Sequence, residues 1–148
     1  MKQFSRHLCS LIAALTLSVA LLVPVACAAA RASDYFAVTD AVAYAEENGK
    51  ILIEADVCAT ETMDEIGVKS ITIYEKQSDG YYHDVKTYTR YNTSGMIATN
   101  IYEHFKSITY QGTIGKKYYA EIGFYAKNSS GSETLYYDTN IVTAVSVP

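Results

Sequence analysis

Apolar and polar residues alternate with a period of two through most of the chain beyond residue 50. Over 50–59, Ile51, Ile53, Ala55 and Val57 alternate with Leu52, Glu54, Asp56 and Cys58, which gives a strand one apolar face. Over 68–76, Ile71 and Ile73 point inward and Thr72 and Tyr74 outward. Ser78-Asp79-Gly80 has the turn chemistry of a hairpin leading into a strand over 82–91. There the alternation puts Val85, Thr87 and Thr89 inward, and Tyr82, Lys86 and Tyr88 outward. Asn92-Thr93-Ser94-Gly95 makes the next turn, and a longer strand follows with Ile97, Thr99, Ile101 and Phe105 in phase. Over 118–127, Tyr118, Ala120, Ile122, Phe124 and Ala126 share one face. Asn128-Ser129-Ser130-Gly131 then turns the chain into a last strand over 133–145.

The segment 36–48 fits two patterns. Val38, Ala41, Val42 and Ala45 make a helical face, and alanine favours a helix. Its position suits the first edge strand of a sandwich, and the strand is the preferred reading. No proline interrupts the chain between Pro24 and Pro148, while Gly and Ser/Asn/Asp clusters recur at short intervals. That combination predicts strands joined by turns. Seven short strands at this spacing predict an all-β, immunoglobulin-like or fibronectin type III-like sandwich of two sheets.

The first residues read differently. Met1 to about Ala28 has Lys2 and Arg6, then an apolar stretch from Leu8 to Val23, then small residues. This is the pattern of a secretory signal peptide. Cleavage after Ala28, Ala30 or Ala32 fits the small residues there. Residues 1–28 are therefore expected to be the leader, and 29–148 a single β-sandwich domain. Val25 and Ala26 before Cys27 leave a lipid anchor at Cys27 as an alternative, although Pro24 departs from that motif. Export places the domain at the cell envelope or in the medium, and the membrane is met only through the leader. Cys9 and Cys27 lie in the leader, so Cys58 alone remains and no internal disulfide can form.

A chain of 148 residues is room for one domain. Hydrophobic residues at 49% and charged residues at 19% exclude a disordered chain. The formal charge is −4, and becomes −6 without Lys2 and Arg6, which argues against nucleic acid as a partner.

The segment Gly115 to Glu133 is similar to the penultimate strand and final turn of a fibronectin type III domain. Those domains have an alternating strand ending in Ala-x-Asn-x-x-Gly, matched by Ala126, Asn128 and Gly131, with a tyrosine near the strand start, matched by Tyr118. The chain beyond the leader also resembles small exported proteins of Gram-positive bacteria that carry a domain of unknown function. The shared features are Lys50-Ile51-Leu52-Ile53-Glu54-Ala55, Asp64-Glu65-Ile66-Gly67-Val68-Lys69 and the tyrosine-rich strand pair at the end. That resemblance implies location and fold, and attaches no activity.

A search for chemistry returns little. His83 and His104 are expected at the surface, and no H-E-x-x-H or C-x-x-C spacing occurs, so neither metal nor cofactor is expected. Ser94-Gly95 and Ser130-Gly131 are turn pairs, without the elbow a serine nucleophile needs. Cys58 sits among Glu54, Asp56 and Glu61, a poor setting for a thiolate. Glu61, Asp64 and Glu65 lack the spacing of a calcium loop. The expectation is a protein without catalytic activity. The catalytic alternative is a small hydrolase using a carboxylate pair such as Glu54 and Glu121.

Tyrosine is the unusual residue: the chain has 14, and no tryptophan. Tyr74, Tyr82, Tyr88, Tyr119, Tyr125 and Tyr136 fall in the outward phase on strands expected to be neighbours. They are the candidate binding residues, an aromatic face rimmed by Lys86, Arg90, Glu121 and Lys127. Tyrosine combines rigid contact area with a polar tip, which suits a protein or carbohydrate of the cell envelope. The competing reading is a structural envelope domain without a specific ligand. By the same phase, Tyr88 and Tyr125 are expected to be dispensable for folding and Tyr118 is not.

Overall fold

The computed structural model describes residues 33–146, and the leader expectations, including the Cys27 alternative, lie outside the described residues. In chain order the strands are β1 (Phe36–Ala45), β2 (Lys50–Met63), β3 (Glu65–Lys76), β4 (Tyr82–Thr89), β5 (Ile97–Ala98), β6 (Ile101–Gln111), β7 (Lys117–Asn128), β8 (Gly131–Asp138) and β9 (Val142–Thr143). A single 3-10 turn, Glu47–Gly49, joins β1 to β2. The ambiguous segment is thus a strand. Among the described residues no helix is long and apolar enough to cross a membrane.

All pairings are antiparallel and fall into two sheets. One has the order β1-β2-β6. The other runs β4-β3-β7-β8, with β5 added to β3 and β9 to β7. The inner faces of both sheets feed one buried cluster. Ile51, Ile53, Ala55 and Val57 come from β2, Ile71 and Ile73 from β3, and Tyr118, Ala120, Ile122, Phe124 and Ala126 from β7. The two strands with the cleanest alternation, β2 and β7, are the most completely buried on one side. Burying a side chain of this size contributes about 1.5–3 kcal/mol.

Besides register shifts at Phe36/Val38 in β1 and Cys58/Met63 in β2, three bulges or breaks bear on the candidate residues. In β3 the register slips between Val68 and Ser70, so Lys69 is an extra residue. Val68 and Ile71 have opposite parity, yet both are fully buried because of it. In β4, Ile73 faces Lys86 but Tyr74 faces Asp84, which leaves Val85 as the extra residue. Beyond it the phase is the reverse of the expected one, with Tyr88 opposite Ile71 on the inner side and Thr87 opposite Thr72 on the outer. The long strand expected from Ile97 is broken at Asn100, whose φ is 57°. The phase of β6 is then set by β2: His104 pairs with Val57 on the inner side, and Phe105 with Asp56 on the outer. Phe105 is therefore 56% exposed instead of buried. His104 bonds the Gly95 carbonyl at 3.1 Å and Lys106 donates to the Ser94 carbonyl at 2.9 Å, which ties the β4–β5 connection to this strand.

Two polar devices close the ends. The Tyr118 hydroxyl accepts the Thr113 amide at 2.8 Å and donates to the Glu75 carboxylate, while its ring is 1% exposed. Lys116 lies 3.5 Å from the same carboxylate. At the free edge of β1, the side-chain amide of Asn140 accepts the Ala43 N–H at 2.9 Å and donates to the Ala43 carbonyl at 3.0 Å. One side chain thereby imitates a strand partner at an otherwise unpaired position. Thr139 beside it is buried, with its hydroxyl accepting the Ala120 amide at 2.9 Å.

Asn140→Ala leaves both backbone groups of Ala43 without that partner and is expected to cost about 1–3 kcal/mol, read by denaturant titration. The hydrogen bond from Tyr118, followed by the nearby Lys116 charge, holds the Glu75 carboxyl below the usual glutamate range, against the opposing effect of burial. A lowered folded value contributes stability above the unfolded pKa of about 4.3, and that contribution is lost as pH falls through the folded value. The melting temperature should therefore drop on acidification below about pH 4.3, and Glu75→Gln should flatten that drop.

Candidate functional site

The outer face of the β4-β3-β7-β8 sheet holds five of the six candidate tyrosines. One row across β4, β3 and β7 reads Asp84, Tyr74, Tyr119. The next reads Thr87, Thr72, Glu121, Asp138, and the third Thr89, Ser70, Gly123, Tyr136. Tyr82 lies opposite Lys76 at one end, and Tyr125 lies between Gly67 and Thr134 at the other. Tyr88 does not belong to this face. The Val85 bulge turns it inward, where it packs half-buried against the core. Lys86, opposite Ile73, leaves the expected rim with it and lies 5.5 Å from the Tyr88 ring.

At one end the tyrosines touch one another. The Tyr74 and Tyr119 rings are stacked, with centroids 4.9 Å apart and planes 7° from parallel, and Tyr82 meets Tyr119 edge-on at 5.1 Å. Such pairs contribute about 0.5–1.5 kcal/mol beyond their buried area. Burial first, then the charges of Glu121, Asp84 and Asp138, raise the Tyr74 phenol above its ordinary pKa. Tyr119 is raised by burial and then chiefly by Asp138. Both phenols therefore stay protonated as donors amid three carboxylates, and Glu121 and Asp138 directly oppose each other across β7 and β8.

Tyr136 is 59% exposed and lies over Gly123. A Cβ at Gly123 would stand 2.7 Å from the Ser70 Oγ and 3.2 Å from the Tyr136 ring, so glycine makes the space that this ring and the serine occupy. At the far end, Lys69 and Arg90 stand 5.9 Å and 6.0 Å from the Tyr125 ring centre. Arg90 pairs with Glu65 at 3.0 Å and Lys127 with the same carboxylate at 3.9 Å. Lys69 reaches Tyr125 because it is the extra residue of the β3 bulge. The arrangement is an aromatic strip in two parts, Tyr74, Tyr82 and Tyr119 at one end and Tyr125 and Tyr136 toward the other, with the Glu121 and Asp138 carboxylates between them and paired cations at the Tyr125 end. It offers stacking, apolar contact and hydrogen bonds to a ligand.

The remaining candidates lie apart. Glu54 is on the outer face of the three-stranded sheet, between Val42 and Ser107, and Glu121 is on the outer face of the other sheet. The fold does not bring them together. His83 bonds Asp79 at 2.8 Å at the tip of the β3–β4 hairpin. Cys58 is a half-buried free thiol facing outward between Val38 and Glu103. Glu61 accepts a hydrogen bond from Asn128 at 2.9 Å. Among the described residues no three acidic, histidine or cysteine side chains converge closely enough to hold a metal ion. Sequence reasoning missed a cleft on the three-stranded sheet, about 200 Å³ in volume and lined in part by Asp40, Asp56 and Phe105. Its signal was hidden because Phe105 was assigned to the wrong face.

No protein-family model matches the chain, and no curated protein does. Among solved structures it is similar to Northeast Structural Genomics Consortium target SoR45, at 13% identity and a TM-score of 0.35 over 73% of this chain and 84% of that one. A similarity this loose carries no inference about the fold or the site.

The burial pattern orders three variants. Tyr118→Ala should cost about 3–5 kcal/mol as a large-to-small core change. Tyr88→Ala, half-buried, should cost about 1–2 kcal/mol. Tyr125→Ala should cost about 0.5–1 kcal/mol, the scale of an exposed cation–π contact. Calorimetric melts of the three side by side check the order, and a Tyr88→Ala melt equal to wild type would return Tyr88 to the outer face.

Proposed function

We propose that this chain is an exported, non-catalytic binding module of the immunoglobulin-like or fibronectin type III-like sandwich type, whose tyrosine face recognises a protein or carbohydrate of a bacterial cell envelope. The sandwich type is supported by the strand order β1-β2-β6 opposite β4-β3-β7-β8. It is further supported by Tyr118 at the start of β7, whose hydroxyl bonds back to the backbone of Thr113 in the preceding turn. Export rests on the leader pattern of residues 1–28 and on the resemblance to exported proteins of Gram-positive bacteria.

One observation carries the binding assignment: five tyrosines share one sheet face, with Tyr74, Tyr82 and Tyr119 in ring contact at one end and Tyr125 and Tyr136 beyond the Thr72–Glu121–Asp138 row. Rigid aromatic residues with polar tips dominate binding hot spots, and large exposed patches on soluble proteins mark contact sites. The split of Glu54 and Glu121 between two outer faces weighs against the carboxylate-pair hydrolase.

Binding of the protein to isolated cell-envelope material tests the assignment. Tyr136→Ala, which removes the most exposed ring of the strip, should weaken binding by about 30-fold, equivalent to about 2 kcal/mol. Retention of full affinity in Tyr136→Ala and Tyr119→Ala together would remove the tyrosine face from the account. For location, Cys27→Ser should leave the protein in the same cell fraction, and a shift from membrane to medium would establish a lipid anchor instead.

A further inference from the structure

The outer face of the three-stranded sheet is a second uncovered surface, with a chemistry unlike that of the tyrosine strip. The register sets Asp40, Asp56 and Phe105 in one row across β1, β2 and β6. Phe105 and Val38 are each 56% exposed. Beside that row opens the cleft of about 200 Å³, lined by Asp40, Val42, Tyr44, Glu54, Asp56 and Phe105. Asp40 and Asp56 are direct cross-strand partners, and like charges in that position weaken a sheet.

Nothing within the described residues neutralises these groups. Asp40, Glu54, Asp56 and Glu103 take part in none of the ion pairs there. Lys50 shares their phase on β2 but stands at the far end of the strand, beside Glu46 and Glu47. A divalent ion does not answer the charge, because the acidic side chains do not converge as a metal site. A second copy of this chain is disfavoured, since each copy carries a net charge of −4, or −6 without Lys2 and Arg6, and the cations Arg90 and Lys127 are already paired with Glu65. Charge complementarity calls for separate cations spaced along the face. Apolar Val42 and the Tyr44 and Phe105 rings sit between the carboxylates, where aliphatic stems and cation–π contact would both be accommodated.

We propose that the outer face of β1, β2 and β6 docks a lysine- or arginine-rich segment of a partner protein, with basic side chains entering the Asp40–Asp56–Phe105 cleft. This goes beyond the tyrosine strip: it uses the other sheet and none of those tyrosines.

The test is fluorescence anisotropy with the full chain and a labelled peptide of alternating lysine and alanine. Alternating glutamate and alanine serves as the control. The lysine peptide should bind with an affinity that falls steeply as salt rises, and the glutamate peptide should not bind. Phe105→Ser and Asp56→Asn should each weaken binding by about tenfold or more, the scale set by a buried contact or charge pair. Tyr136→Ala should leave binding unchanged, so failure here and failure of the tyrosine strip remain separable. Asp56→Asn should also raise the melting temperature, because it relieves the repulsion from Asp40. Cys58 provides a second readout: bound lysine peptide should slow alkylation of this thiol by iodoacetamide, located by mass spectrometry. Glu103→Gln replaces any variant that fails to fold. Binding insensitive to Phe105→Ser and Asp56→Asn, absence of binding, or equal binding of the glutamate peptide would overturn the proposal.

Discussion

Strand β7 lies between β3 and β8, and its inner side carries Tyr118 and Phe124 among five residues that are all essentially inaccessible to water. Its inner positions are buried without a break from Tyr118 to Ala126, and Gly123, the one outer position also buried, lies under the Tyr136 ring. The other strands of that sheet take their register from it. β3 must bury Val68 opposite Phe124 and also Ile71 opposite Ile122, positions of opposite parity, and the Lys69 bulge is the consequence. β4 must then follow β3, and the Val85 bulge sets which of its residues reach water. The membership of the aromatic strip is therefore decided by core packing several residues away from any tyrosine in it.

This chain of dependence explains what the sequence made legible. The strands over 50–59, 68–76 and 118–127 are readable because one face of each is fully buried, and burial enforces strict alternation. The turns at Ser78-Asp79-Gly80 and Asn128–Gly131 are readable because their residue types meet specific backbone demands. Tyr74, Tyr82, Tyr119, Tyr125 and Tyr136 were placed correctly for the same reasons. Tyr88 was not, because an extra residue in a half-exposed strand leaves no mark on composition. Phe105 and His104 exchanged faces for a related reason: the apolar run Ile97, Ile101, Phe105 suggests one strand, but Asn100 in the left-handed region divides it. β6 then pairs by the needs of β2, whose Ile53 lies beside Ile108 on the inner side of the same sheet. Pairings between distant segments, such as Asn140 with Ala43, carry no local signal at all.

The two edges of the three-stranded sheet are treated differently. On β1 the Asn140 amide supplies both a donor and an acceptor to Ala43, and it reaches there from the segment that follows β8. Among the described residues β6 pairs only with β2; Ile101, Tyr102, Glu103 and Phe105 are exposed along it, and His104 and Lys106 are half-buried. Charged side chains on an edge discourage pairing with a second chain. The inner-phase His104 and Lys106 are engaged by the Gly95 and Ser94 carbonyls, so the connection after β4 covers part of the inner side of β6.

Both outer faces place carboxylates directly opposite one another, Asp40 with Asp56 on one sheet and Glu121 with Asp138 on the other. Each such pair weakens the sheet relative to neutral partners. The fold can carry that cost because its stability resides on the other side of the same strands. Ala55 and Val57 flank Asp56, and Ala120 and Ile122 flank Glu121, all four fully buried. Alternation separates the two roles residue by residue: neighbours along β2 or β7 face opposite environments and are constrained by different physics. Substitutions on the inner side trade against packing, whereas those on the outer side trade against charge and contact with whatever lies outside.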